Sequence, residues 1–149
     1  MSLEFIGLFL FLAGFIVGLG AVTVIDSLGF CARNSTYFTL TTIRAHQITK
    51  PLIWLGMFLA ILGGAIFYSQ NPYSVIIVLQ CILAIILIFN GLFLSFYVSP
   101  RLLQKEKEEK GNTKLLSKSM QAKIAVSFVI SFIGWWTSVL LLVGYILST

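Results

Sequence analysis

The chain has 149 residues, of which 58% are hydrophobic and only 10% charged, with a mean hydropathy of +1.00. Soluble domains carry about 25% charged residues, and a fold of this length has too little interior to hide so much apolar surface from water. A soluble enzyme, a nucleic-acid-binding domain and a disordered chain are excluded, which leaves an integral membrane protein.

Charge-free runs mark the spans. Phe5–Ile25 is 21 residues without a charge, Pro51–Pro100 is 50, and the run after Lys123 reaches Thr149. A helix needs about 20 apolar residues to cross roughly 30 Å of hydrocarbon. The first and last runs suit one crossing each. The middle run suits two, divided at Ser69-Gln70-Asn71-Pro72, four turn-forming residues between apolar stretches. The predicted helices are about 5–25, 51–68, 73–98 and 124–147. The fold class is all-α: an integral membrane four-helix bundle of two hairpins, a single domain over 1–149, with loops 26–50 and 99–123. The alternating pattern of barrel strands is absent. The first run is read as a membrane helix and not as a signal peptide, because no Lys or Arg precedes Arg33 and the run exceeds the length of an h-region.

Orientation follows from the basic residues. Arg33, Arg44 and Lys50 lie between the first two spans; Arg101, Lys105, Lys107, Lys110, Lys114, Lys118 and Lys123 lie between the last two. Basic loops are retained on the cytoplasmic side. Both long loops are expected inside, facing anionic headgroups, and both ends of the chain outside a prokaryotic inner (plasma) membrane. The sequon Asn34-Ser35-Thr36 then faces the cytoplasm, where it is not used. Each half, 1–70 and 71–149, reads as helix, basic segment, returning helix, a layout that a duplication or any pair of hairpins would give.

The loops carry helices of their own, interfacial or cytoplasmic. Ser35 or Thr36 can cap one reaching about Thr49, with Tyr37, Phe38, Leu40, Ile43 and Ile48 on its apolar side. Pro51 is placed at the start of the second span, where its missing N–H costs nothing. In the second loop, Arg101–Lys110 is a charged helical stretch with Glu106 and Lys110 spaced for an ion pair; Gly111-Asn112 ends it, and Thr113 can cap the next helix.

Lipid gives helices no hydrophobic reason to associate, so small residues and hydrogen bonds must hold the bundle. Gly14, Gly18 and Ala21 form a stripe on the first helix, and Gly56, Ala60 and Gly64 one on the second. These stripes are expected to meet within the hairpin; homodimerisation is their competing use. On the third and fourth helices, Gln80 and Ser138 match in depth, as do Asn90 and Ser131, so both pairs are expected to hydrogen-bond. Trp135 and Trp136 are adjacent and cannot face one way: one ring is expected in the bundle, the other against lipid or a second subunit.

No Asp, Glu, Lys, Arg or His falls inside any predicted span, whereas ion-coupled transporters and pumps usually keep an ionisable residue there. With one His and two separated cysteines, Cys31 and Cys81, no metal cluster has ligand spacing, and no disulfide is expected. A haem would need His46 from two chains, or a Met partner such as Met57 or Met120. The remaining polar cluster is the cytoplasmic edge of the first two helices: Asp26, Arg33, Arg44, His46 and Lys50. Asp26 and Lys50 are expected to pair across the hairpin, as an ion-pair clamp or as part of an anion or headgroup site. Cys31, His46 and Asp26 also form a nominal nucleophile set.

The stretch 20–56, with VID at 24–26, IRAH at 43–46 and TKPLIWLG at 49–56, resembles a group of small, uncharacterised four-helix prokaryotic membrane proteins; NGLFLSFYVSP at 90–100 and SFIGWW at 131–136 are similar too. More distantly, a His shortly before a Trp-Leu-Gly helix start resembles the copper-resistance D type of four-helix membrane domain. The chain lacks the further His and Met ligands that a copper site needs, so copper transport is not carried over. The nearer resemblance implies the fold and no activity. The expected function is a non-enzymatic small subunit, scaffold or lipid-contacting module without a cofactor, self-associating or joined to a membrane complex. The alternatives are a cofactor-binding redox protein using His46 across a dimer, and a small solute transporter.

Overall fold

The computed structural model describes residues 2–32, 35–69, 74–108 and 117–148. They form α1 (Leu3–Cys31), α2 (Thr36–Tyr68), α3 (Val75–Leu92), a π-helical segment (Phe93–Val98), α4 (Ser99–Glu108) and α5 (Lys118–Ser148). α3, the π-helical segment and α4 run on without a break. Four helices are long and apolar enough to cross a membrane, the fold expected of a multi-pass helical membrane protein. Helix satisfies every interior backbone group within its own segment, which is what hydrocarbon requires. Serines begin three of them: Ser2 Oγ accepts from Phe5 N at 3.3 Å, Ser74 Oγ from Ile76 N at 3.3 Å, and Ser117 Oγ from Met120 N at 3.4 Å.

The helices outrun the charge-free runs. α1 continues past Asp26 to Cys31, and α5 starts at Lys118. The predicted loop helix and second span are one helix, with Pro51 in its interior rather than at its start. A proline there removes one backbone hydrogen bond, but it does not outweigh the continuity of a 33-residue helix. The Glu106–Lys110 pair, the Gly111-Asn112 stop, the Thr113 cap, Arg33, Asn34 and the turn beyond Ser69 lie outside the described residues.

α1 and α2 pack backbone against backbone. A Cβ on Gly14 would stand 2.3 Å from Ala60 N, one on Gly56 2.4 Å from Gly18 N, one on Gly63 2.2 Å from Phe11 N, and one on Gly7 2.6 Å from Phe67 N. These pairs step along the two helices in one antiparallel register. The small stripes meet as expected, with one correction: Gly63, not Gly64, takes the close approach, because the register that joins Gly14 to Ala60 presents position 63 to Phe11. A Cβ on Gly64 would meet the Phe11 ring at an ordinary 3.4 Å. The stripe is consumed inside the chain, which removes it as a dimer surface.

The helices stand in the order α2, α1, α5, α3; the backbone of α3 lies nearest α5, and the Tyr68 side chain reaches across from α2 to Gln80. The second hairpin therefore packs through side chains, unlike the first. Trp135 is 2% exposed, edge-on to Phe15 with centroids 6.0 Å apart, whereas Trp136 is 45% exposed. The two rings divide as the sequence predicted. Toward the Tyr68 end of α2, the gap between α2 and α3 holds an apolar cavity of about 270 Å³ lined by Phe11, Met57, Ala84 and Leu87 among others. Toward the other end, α2 and the π-helical segment close the gap.

Candidate functional site: a polar cavity at the basic end of the bundle

Three groupings of polar side chains join the helices in ways that bear on the site. In the first, Tyr68 Oη donates to Gln80 Oε1 at 2.7 Å, and Gln80 Nε2 donates to the backbone carbonyl of Ser138 at 3.1 Å. Gln80 and Ser138 thus meet, but the Ser138 hydroxyl turns back onto Gly134 O at 2.9 Å. Tyr68, at the end of the predicted second span, is a partner that the sequence pattern did not single out.

In the second, Asn90 Nδ2 donates to Ser127 O at 2.9 Å, and Ser127 Oγ donates to Asn90 Oδ1. The partner is Ser127, one turn from the expected Ser131. The Gln80–Ser138 register dictates this: ten residues along α3 lie opposite ten residues back along α5, at position 128, and Ser127 is the nearest hydroxyl. A double-mutant cycle on Asn90→Ala and Ser127→Ala should give a coupling of about 0.6 to 1.7 kcal/mol, the range of intramembrane hydrogen bonds. The same cycle with Ser131→Ala should give none.

The third place holds the predicted edge cluster, rearranged. Lys50 does not pair with Asp26; its Nζ donates to Ser95 O at 3.3 Å, and Trp54 Nε1 donates to Ser95 Oγ at 3.1 Å. Because α2 is continuous through Pro51, positions 50 and 54 share a face one turn apart, and that face looks at the π-helical segment rather than at α1. A π turn inserts a residue and re-aims its neighbours, and here it delivers Ser95 to both donors. Arg44 is exposed on α2, and Cys31 is an exposed free thiol at the end of α1.

Asp26 and His46 remain, in the interior of the bundle's basic end. Both line a cavity of about 90 Å³ between α1, α2, the π-helical segment and α5, together with Thr39, Thr42 and Ser131. His46 and Ser131 also line an adjoining cavity of about 30 Å³ with Lys50, Trp54 and Met57. Asp26 is 8% exposed, and its Oδ2 has no hydrogen-bond partner among the described residues. Burying a carboxylate without a counter-charge costs several kcal/mol unless a cation or proton compensates it. Thr39 Oγ1 donates to Ala32 O at 3.1 Å and to Ser35 O at 3.0 Å, which leaves its oxygen free to accept.

No cluster of three His, Cys, Asp or Glu side chains suited to a metal occurs among the described residues. The space shared by His46 and Met57, about 30 Å³, holds a water or two and is far too small for a porphyrin. A ring of basic contacts marks the surface above: Arg101 Cζ stands 3.4 Å from the Tyr97 ring centroid, and Lys123 Nζ donates to Tyr97 Oη at 3.1 Å. Comparisons with known proteins return no matching family model, no similar curated protein and no similar solved structure. The class that fold and composition define is a four-helix multi-pass membrane protein.

Proposed function

We propose that the chain is a non-enzymatic small subunit, scaffold or lipid-contacting module of a prokaryotic plasma membrane. In this reading the basic segments lie on the cytoplasmic side against anionic headgroups, and the protein works as a homo-oligomer or within a membrane complex. The observation that carries the role is α3. Its polar side chains, Gln80 and Asn90, both turn inward to α5, and its outward side is a continuous apolar surface at Val78, Ile82, Ile85 and Phe89. A helix so lightly held by its own chain presents a face to be covered by lipid or by another membrane protein.

The test uses a photo-crosslinking residue at Ile85 in native membranes. Adducts with protein of defined mass support a subunit or scaffold; lipid adducts alone support a lipid-contacting module. Solute flux in proteoliposomes would contradict both. The redox alternative through His46 is less well supported, since that ring lines cavities inside the bundle and is not offered to a second copy. It predicts a Soret band in the purified protein that vanishes in His46→Ala. The expected spectrum has no such band in either protein.

A further inference from the structure

We propose that the Asp26–His46 cavity is a binding site for a primary ammonium group. Three observations converge on this ligand. Asp26 is more than nine-tenths buried, with Oδ2 lacking a hydrogen-bond partner among the described residues, so its carboxylate, when ionised, has no counter-charge in the cavity wall. Three other polar groups on the wall of the same 90 Å³ can accept: the Thr39 oxygen, whose proton is already shared between Ala32 O and Ser35 O, an imidazole nitrogen of His46, and the Ser131 hydroxyl. A cation with several N–H donors satisfies that set, and charge-assisted N–H···O⁻ bonds are the strong ones. The volume admits an –NH₃⁺ group with a short stem and excludes a bulky head.

An apolar groove adjoins the cavity on its side. Of about 200 Å³, it runs between the end of α1 and the start of α5, lined by Phe30, Gln121, Ala125 and Val129. It shares Gly29, Ala32, Ile124 and Phe128 with the polar cavity. Apolar walls outside and a lone carboxylate inside match an amphiphile whose amine enters the cavity while its chains stay in the groove. The same ammonium chemistry could be supplied by a lipid headgroup or by a free short amine. Gly29 lies where groove and cavity meet, and a Cβ there would meet nothing within 4 Å, so a larger side chain can narrow the junction without disturbing the helices.

The experiment uses the full chain in nanodiscs and two probes. The first is native mass spectrometry of bound phosphatidylethanolamine against phosphatidylcholine with identical chains, since only the former has N–H donors. The second is calorimetric titration with ethylammonium in phosphatidylcholine discs. A preference of at least about tenfold for the ethanolamine lipid, lost in Asp26→Asn and reduced in Gly29→Leu, assigns the site to a headgroup. Ethylammonium binding that is lost in Asp26→Asn and survives Gly29→Leu, without lipid preference, assigns it to a free amine. Neither probe binding, or equal binding by Asp26→Asn, overturns the proposal. Asp26→Asn is nearly isosteric and removes a buried charge, so it is expected to fold; an unchanged helical circular dichroism spectrum checks this. This inference goes beyond the proposed role and fails separately from it: flux or a Soret band sinks that reading, and indifference to Asp26 sinks this one.

Discussion

Gly14→Ala is expected to destabilise the protein by about 3 kcal/mol, the upper end of overpacking costs, while Gly20→Ala, further along the same helix on another face, should change stability by less than about 0.5 kcal/mol. The added atom is the same methyl group. At position 14 it would lie 2.3 Å from Ala60 N and 2.6 Å from Gly56 O. Those atoms are backbone, so no rotamer change can relieve the clash and the helices must move apart. At position 20 it meets nothing within 4 Å. Separation at one point would weaken the adjoining close approaches at Gly18–Gly56 and Phe11–Gly63, because helix packing in lipid depends on short-range contact. Unfolding by sodium dodecyl sulfate in mixed micelles, followed by tryptophan fluorescence, gives both values. Equal effects at the two positions would mean that α1 and α2 do not touch through glycine.

The second large effect is expected at the tryptophan pair. Trp135→Ala should cost about 3–5 kcal/mol, the range for emptying a buried aromatic site, and Trp136→Ala, which faces outward, less than about 1 kcal/mol. Trp135 fills the space that a Cβ on Gly18 would enter, its Cη2 lying 2.4 Å from that position. The two sites therefore exchange volume. Gly18→Leu should be severely destabilising alone and should recover part of the loss in the Trp135→Ala background. Strictly additive single and double variants would show that the ring does not sit over Gly18.

Much of this arrangement is legible in the chain. Charge-free runs locate four helices because hydrocarbon excludes charge and demands helix. The Gly14–Gly18 and Gly56–Ala60 spacings identify the faces that meet, since in lipid only small residues let backbones approach. The depth of Gln80 and Ser138 gives their pairing. The misses share a cause. Helix ends were read from charge, but α1 and α2 extend into the basic segments, and a continuous α2 turns Lys50 away from Asp26 toward Ser95. Local pattern gives Pro51 as a start signal, and a long helix overrides it. The π-helical segment at 93–98 has no sequence mark of its own; it coincides with the place where Trp54 and Lys50 donate to Ser95. The Asn90 partner was misplaced by one turn for a similar reason: two depth estimates made from separate helix ends do not fix a common register, whereas one observed contact does. The polar cavity was half visible. Asp26 and His46 were named, but as rim residues; the extension of α1 past position 25 and the continuity of α2 through Pro51 place them inside.

Four crossings with the basic segments on one side can be tested by single-cysteine labelling in right-side-out membrane vesicles, with Cys31 and Cys81 replaced by alanine. Ser69→Cys should react with a membrane-impermeant maleimide from the outer side, and Lys107→Cys only after the vesicles are opened. Reaction of both positions from the same side before opening would contradict a chain that crosses the bilayer between them.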